Sequence, residues 1–320
     1  MERERFVYLD QMKGVAIFFM VMGHVMLFAF KMGGSMIEGF GVSNMPIFFY
    51  VSGFLAYCET GSHTQFLQKV TKRSWRLLIP WFSVTIAMCL YAHRAFEPTL
   101  LSFYWFFYML FLITIVFYVF EHFIAKHFKR PWLYVSTYFL LMTLFGAGYY
   151  SGLQSYRFPF AEFIVFSSSY LLGWCSRKYR ALHTFCLSNT WLYVACIPLF
   201  IYGCCNLQHL NVLTRVLAGN AGVLLWLSFF YHLGEQVDGK GQEALSRLVA
   251  YVGQCSLSIY MLNNFFIPDL TFFNTDCLVV GNGFLWQFLV VALLTVPIVA
   301  ACVWVRAMSK HNKILKHIFC

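Results

Sequence analysis

The chain has 320 residues, of which 60% are hydrophobic and 20% aromatic, and only 11% are charged. Soluble domains carry about a quarter charged residues, so a separate soluble domain is excluded, and the apolar runs place one domain, 1–320, in a bilayer as an all-α polytopic bundle. The net charge of +10 is confined to alternate connections between those runs, which reads as a topology signal and excludes nucleic acid as the partner.

A bilayer core about 30 Å thick takes about 20 residues of helix. Ten runs approach that template, near 11–31, 42–58, 77–93, 101–120, 132–149, 158–175, 190–206, 212–232, 249–266 and 284–305. The second and ninth are short or interrupted by polar groups. The first lacks a small-residue cleavage site and is read as a permanent helix. Lys69, Lys72, Arg73, Arg76, Lys126, Lys129, Arg130, Arg177, Lys178 and Arg180 share one side with both basic termini. Lys31, Arg94, Arg157 and Arg215 fall on the other. This asymmetry predicts that both termini are cytoplasmic.

The first run, LDQMKGVAIFFMVMGH, carries Asp10, Lys13 and His24. Asp10 suits the capping of a helix start and lies within reach of Lys13. Lys13 and His24 share a face at about three turns' separation, roughly 16 Å along the axis. Lys13 can snorkel to the interface. His24 has no such route, and an ionisable side chain at that depth faces the bundle interior and marks function. A neutral imidazole bridging two helices is the alternative. The other histidines fall in connections or near span ends.

The second run, NMPIFFYVSGFLAY, holds Asn44 and Ser52-Gly53, residue types that permit close helix packing and hydrogen bonding across helices. The third opens with KVTKRSWRLLIPW, where Arg73 and Arg76 lie one turn apart. Their forked guanidinium groups suit phosphate, although anchoring on the positive side accounts for them as well. In the sixth run Glu162 is an unusual carboxylate that could orient His24, bind a sugar hydroxyl or pair with Arg157. The eleven cysteines form no metal-binding pattern. Cys204, Cys205 and Cys277 could face an oxidising compartment, but their spacing alone does not predict a disulfide.

Taken together these segments resemble the integral-membrane type-3 acyltransferase family, which includes O-acetylating enzymes of polysaccharides, lipopolysaccharide and nodulation-factor fucose. The basic-residue-then-ten-then-histidine pattern is matched by Lys13 and His24, the aromatic–Ser–Gly segment by MPIFFYVSGF, and Arg-x-x-Arg by Arg73 and Arg76. Weaker echoes are YWFFYMLF at 104–111, FPF at 158–160 and GQCSLSIYMLN at 253–263, which bring Trp105, Ser256, Tyr260 and Asn263 into consideration. Two positions depart: Asn44 and Asn263 stand where relatives often carry His, losing a titratable group but keeping hydrogen-bonding capacity.

The resemblance implies transfer of an acyl group, commonly acetyl, from cytosolic acyl-CoA, with no permanently bound cofactor and no metal. The expected acceptor is a sugar hydroxyl of an envelope glycan, glycolipid or exported polysaccharide, in a bacterial cytoplasmic membrane. Arg73, Arg76 and Lys13 would meet the donor's phosphates. Neutral His24 would act as general base. Asn44 and Ser52 would orient the base or contact the carbonyl, and Asn263 would help align the acceptor. Trp105 and Tyr260 would line a channel or merely pack, and Ser256 would bond across helices. A proton-coupled transporter or flippase for lipid or sugar, with His24 as relay, is the competing reading.

Overall fold

The structure is a computed structural model and describes residues 6–31, 39, 41–57, 63–91, 104–149, 159–235, 240–270, 284–309 and 311. Every regular element among the described residues is helical. In chain order they are α1 (Val7–His24), α2 (Gly41–Ala56), α3 (His63–Tyr91), α4 (Trp105–Phe120), α5 (Pro131–Gly148), α6 (Phe160–Lys178), α7 (Arg180–Ser188), α8 (Thr190–Cys205), α9 (Val212–Glu235), α10 (Lys240–Gln254), α11 (Ser256–Phe266) and α12 (Phe284–Ser309). Two π turns extend helices without a break: Val25–Ala29 after α1 and Glu121–Ala125 after α4.

Among the described residues, five helical segments are long and apolar enough to cross a membrane: Val7–Ala29, Phe66–Tyr91, Trp105–Ala125, Val212–Leu233 and Trp286–Ser309. The pair α7 and α8 makes a sixth if counted as one span, bent by 73°. Asn189 sits at that bend, its side chain accepting from Leu192 N at 3.2 Å and capping α8. The sequence reading has no helix at 180–188, because α7 is too polar to register as an apolar run.

Two differences from the expected runs stand out. The third is longer than its apolar part, since α3 begins at His63 and carries its basic residues inside the helix. The ninth, expected as one span over 249–266, is two helices separated at Cys255. Gly253 and Gly14 have no Cβ, and a Cβ on Gly253 would meet Asp10 O while one on Gly14 would meet Val249 O. Backbone-to-backbone approach of this kind fixes α10 against α1. Arg306 of α12 then donates to Cys255 Sγ at the break.

By its contacts the chain divides into two compact units, Met1–Phe48 with Cys186–Cys320, and Phe49–Phe185. In the first, α1 packs against α9, α10, α11 and α12, and α8 packs against α9. In the second, α3 packs on α4, and α6 packs on both α4 and α5. There Gly53 and Gly173 allow a reciprocal approach of α2 and α6: a Cβ on Gly53 would meet Tyr170 O, and one on Gly173 would meet Tyr50 O. An aromatic core of Phe117, Tyr138, Tyr170 and Trp174 fills this unit.

One buried ion pair ties the second unit together. Lys178 donates to Glu121 at 2.7 Å and to Ala125 O at 2.9 Å, and Trp174 Nε1 donates to the other carboxylate oxygen at 3.3 Å. The sequence reading places Lys178 among the topology-setting connections. In the structure its side chain is only 8% exposed, and it ends α6 with its charge turned inward.

Candidate active site

His24 is the last residue of α1 and is followed at once by the π turn. A π turn widens the helix by one residue, a distortion often found at functional positions. The ring of Phe28, inside that turn, meets the imidazole edge-on with centroids 5.3 Å apart. α11 runs beside α1 in the same direction, so Asn263 comes level with His24 and Leu270 N donates to Ala29 O at 3.0 Å. His24 Nδ1 and Asn263 Oδ1 are 2.8 Å apart. Asn263 is fully buried, and its amide nitrogen lies 3.0 Å from Ile259 O and 2.7 Å from Tyr260 O.

His24 also borders a recess of about 280 Å³. Asn44, from α2, lines the same recess, together with Phe19, Gly23, Leu27 and Leu207. Gly23 is open to it: a Cβ there would meet nothing within 4 Å. The recess therefore joins one imidazole and one primary amide in an otherwise apolar wall. Such a wall suits a ligand that presents a polar group to those two side chains.

At the other end of α1, Lys13 forms an ion pair with Asp10 at 2.8 Å. The N-cap position of α1 is Phe6, so Asp10 stands in the first turn rather than at the cap, where it pairs with Lys13. Gln11 alongside donates to Ser246 at 2.6 Å.

The first unit thus brings together His24, Asn44 and Asn263, with Tyr260 contributing its carbonyl oxygen. Ser256 opens α11 and is buried. The remaining expected residues belong to the second unit. Arg73 is half-buried on α3 with its Nε shielded and unbonded, and Arg76, one turn further, is exposed. Ser52 is half-buried beside Gly53. Trp105 stacks on Phe166 with centroids 5.1 Å apart, an aromatic packing contact. Glu162 is half-buried in the first turn of α6, and Arg157 lies outside the described residues.

Among the described residues no three His, Cys, Asp or Glu side chains are grouped to hold a metal ion. Cys204 and Cys205 carry free thiols, and Cys277 lies outside the described residues. The sequence reading missed Gly23, Leu207 and Phe28 as neighbours of His24. Gly23 carries a signal in its adjacency to the deep histidine; the other two carry none.

Residues 6–304 match the family model described as an acyltransferase domain. The chain belongs to the type-3 acyltransferase family. The match takes in most of both units, His24, Asn44 and Asn263 included, and ends just before Arg306. No curated protein and no solved structure matches the chain. The family and the apolar helices together make it a membrane-integral acyltransferase.

Proposed function

We propose that this acyltransferase moves an acyl group, acetyl in the first instance, from acyl-CoA to a hydroxyl of a sugar in an envelope glycan, glycolipid or exported polysaccharide, with His24 as general base. One observation carries the reading. An imidazole at the end of an apolar helix is held by a buried amide and lines a recess that Asn44 also lines. A histidine placed only for packing would need no such recess.

In the reaction the acceptor hydroxyl gives its proton to His24 as its oxygen attacks the thioester carbonyl carbon. The carbon–sulfur bond then breaks, and the departing thiolate recovers the proton from the imidazolium. Negative charge develops on the carbonyl oxygen during attack and needs a donor close by. The Asn44 amide on the recess wall is the group of the right chemistry for that oxygen. Direct transfer involves fewer steps than an acyl-histidine, which remains the alternative form of the same chemistry.

The donor is a substrate, not a resident cofactor. Lys13, Arg73 and Arg76 supply cations for its phosphates, with the arginine forks matched to phosphate oxygens. The whole chain, 1–320, acts as one domain crossing a bacterial cytoplasmic membrane ten times. Both termini lie inside, in keeping with the alternation of basic connections. Ser52, Glu162 and Ser256 fill orienting roles around the substrates, and Trp105 and Tyr260 fill packing ones.

Purified protein in lipid, given labelled acetyl-CoA and a panel of sugars and glycolipids, tests the function. Acceptor-dependent thiol release with label in the sugar is expected. Movement of a sugar across the bilayer, with neither thiol release nor label transfer, would instead establish the transporter reading.

A further inference from the structure

The contacts of Asn263 decide which ring nitrogen of His24 carries hydrogen. Its amide nitrogen faces two main-chain carbonyls, Ile259 O at 3.0 Å and Tyr260 O at 2.7 Å. Carbonyl oxygens only accept, so both amide hydrogens are committed there, and Oδ1 must be the terminus that faces the imidazole. Turning the amide over would set Oδ1 against two other acceptors, Ile259 O and Tyr260 O, and two like acceptors at hydrogen-bond distance repel in a buried place. No water can step in, because Asn263 has no exposed surface.

An amide oxygen 2.8 Å from Nδ1 requires Nδ1 to donate. A neutral imidazole holds one ring hydrogen, so Nε2 keeps its lone pair. The edge-on ring of Phe28 at 5.3 Å restricts rotation of the imidazole.

We propose that Asn263 is a positioning residue that holds His24 in the Nδ1–H tautomer, making Nε2 the atom that takes the acceptor proton. The proposal rests on the assignment of His24 as the base. The hydroxyl proton passes to Nε2 as the oxygen–carbon bond forms, and returns from Nε2 to the sulfur as the carbon–sulfur bond breaks. Asn263 Oδ1 accepts from Nδ1 throughout and stabilises the cationic ring between the two steps. An imidazole could donate or accept, but this amide, with its hydrogens spent on the backbone, can only accept.

The test compares acetyl-CoA turnover by the full chain in lipid, with a glycolipid extract as acceptor, for five proteins: wild type, His24→Ala, Asn263→Leu, Asn263→Ala, and Asn263→Ala with Nδ1-methylhistidine at position 24. Loss of a residue that orients another typically costs about 10–100-fold. We expect a kcat loss of that size for Asn263→Leu and Asn263→Ala, with the acetyl-CoA KM changed by less than about 3-fold. The methylated ring fixes the same tautomer without Asn263, its methyl taking the space of the missing amide, so it should recover most of the lost rate. A purely structural role for Asn263 gives no such recovery.

If Asn263→Leu turns over at the wild-type rate while His24→Ala is inactive, or if methylation recovers nothing, the tautomer assignment is wrong and the base assignment stands. If folded His24→Ala is fully active, the base assignment itself fails. Should both truncations of Asn263 fail to fold, Asn263→Asp decides, since it keeps an oxygen against Nδ1. Substantial turnover would support the proposal, and inactivity equal to His24→Ala would overturn it.

Discussion

Lys13 donates to Asp10 across 2.8 Å, one turn apart on α1, with 19% and 14% of their side chains exposed. A partly exposed pair of this kind stabilises a fold by no more than about 1 kcal/mol. Lys13→Ala should therefore leave the unfolding temperature in detergent nearly unchanged. A charge-assisted hydrogen bond to a donor phosphate contributes about 1.5–3 kcal/mol, so the acetyl-CoA KM of the same variant should rise about 10-fold or more. A shift in stability with an unchanged KM would make Lys13 an anchor only.

Arg73 and Arg76 separate anchoring from recognition in the same way. Arg73→Lys keeps the charge but loses the fork, whereas Arg73→Ala loses both. Steady-state kinetics should show the acetyl-CoA KM ordered wild type, then Lys, then Ala, with kcat less affected. Equal KM values for all three would assign Arg73 to topology alone.

Gly23 gives the recess its room. Because a Cβ there meets nothing within 4 Å, Gly23→Val should fold normally and reduce the space beside His24. The expected outcome is a raised acceptor KM with unchanged acetyl-CoA binding. An unchanged acceptor KM would place the acceptor elsewhere.

In the second unit, Glu121→Ala strips Lys178 of its carboxylate partner in a largely buried setting. Breaking a buried pair from one side costs about 3–5 kcal/mol. The double variant Glu121→Met with Lys178→Met removes both charges and should recover much of that loss. Thermal unfolding of the three proteins in one detergent checks the order, and a double variant less stable than Glu121→Ala would contradict it.

Apolar run lengths made the all-helical class legible in the sequence, because a bilayer dictates how long such runs must be, and five of the ten expected runs coincide with described helices long and apolar enough to cross it. The division at Cys255 was not legible: beside it Gly253 meets Asp10 and Arg306 donates to Cys255, contacts with segments remote in the chain. Lys178 looked like another topology-setting cation because Glu121, which pairs with it, lies 57 residues away. His24 was visible as an ionisable group deep in an apolar run. For its partner Asn263 the sequence suggests a different task, aligning the acceptor. Asn263 is 239 residues distant in the chain, and only the structure places its oxygen against the imidazole rather than toward an acceptor. For Trp105 the abundance of aromatic side chains leaves channel lining and packing both open in the sequence, and in the structure it stacks on Phe166.

The most direct measurement is acetyl-CoA turnover by His24→Ala in lipid, alongside its acetyl-CoA binding and its unfolding temperature. Removal of a general base costs about 10²–10⁴-fold in rate. We predict a loss of that size in acceptor-dependent thiol release, with donor affinity and stability retained. A folded His24→Ala that binds the donor and transfers the acyl group at the wild-type rate would contradict the account.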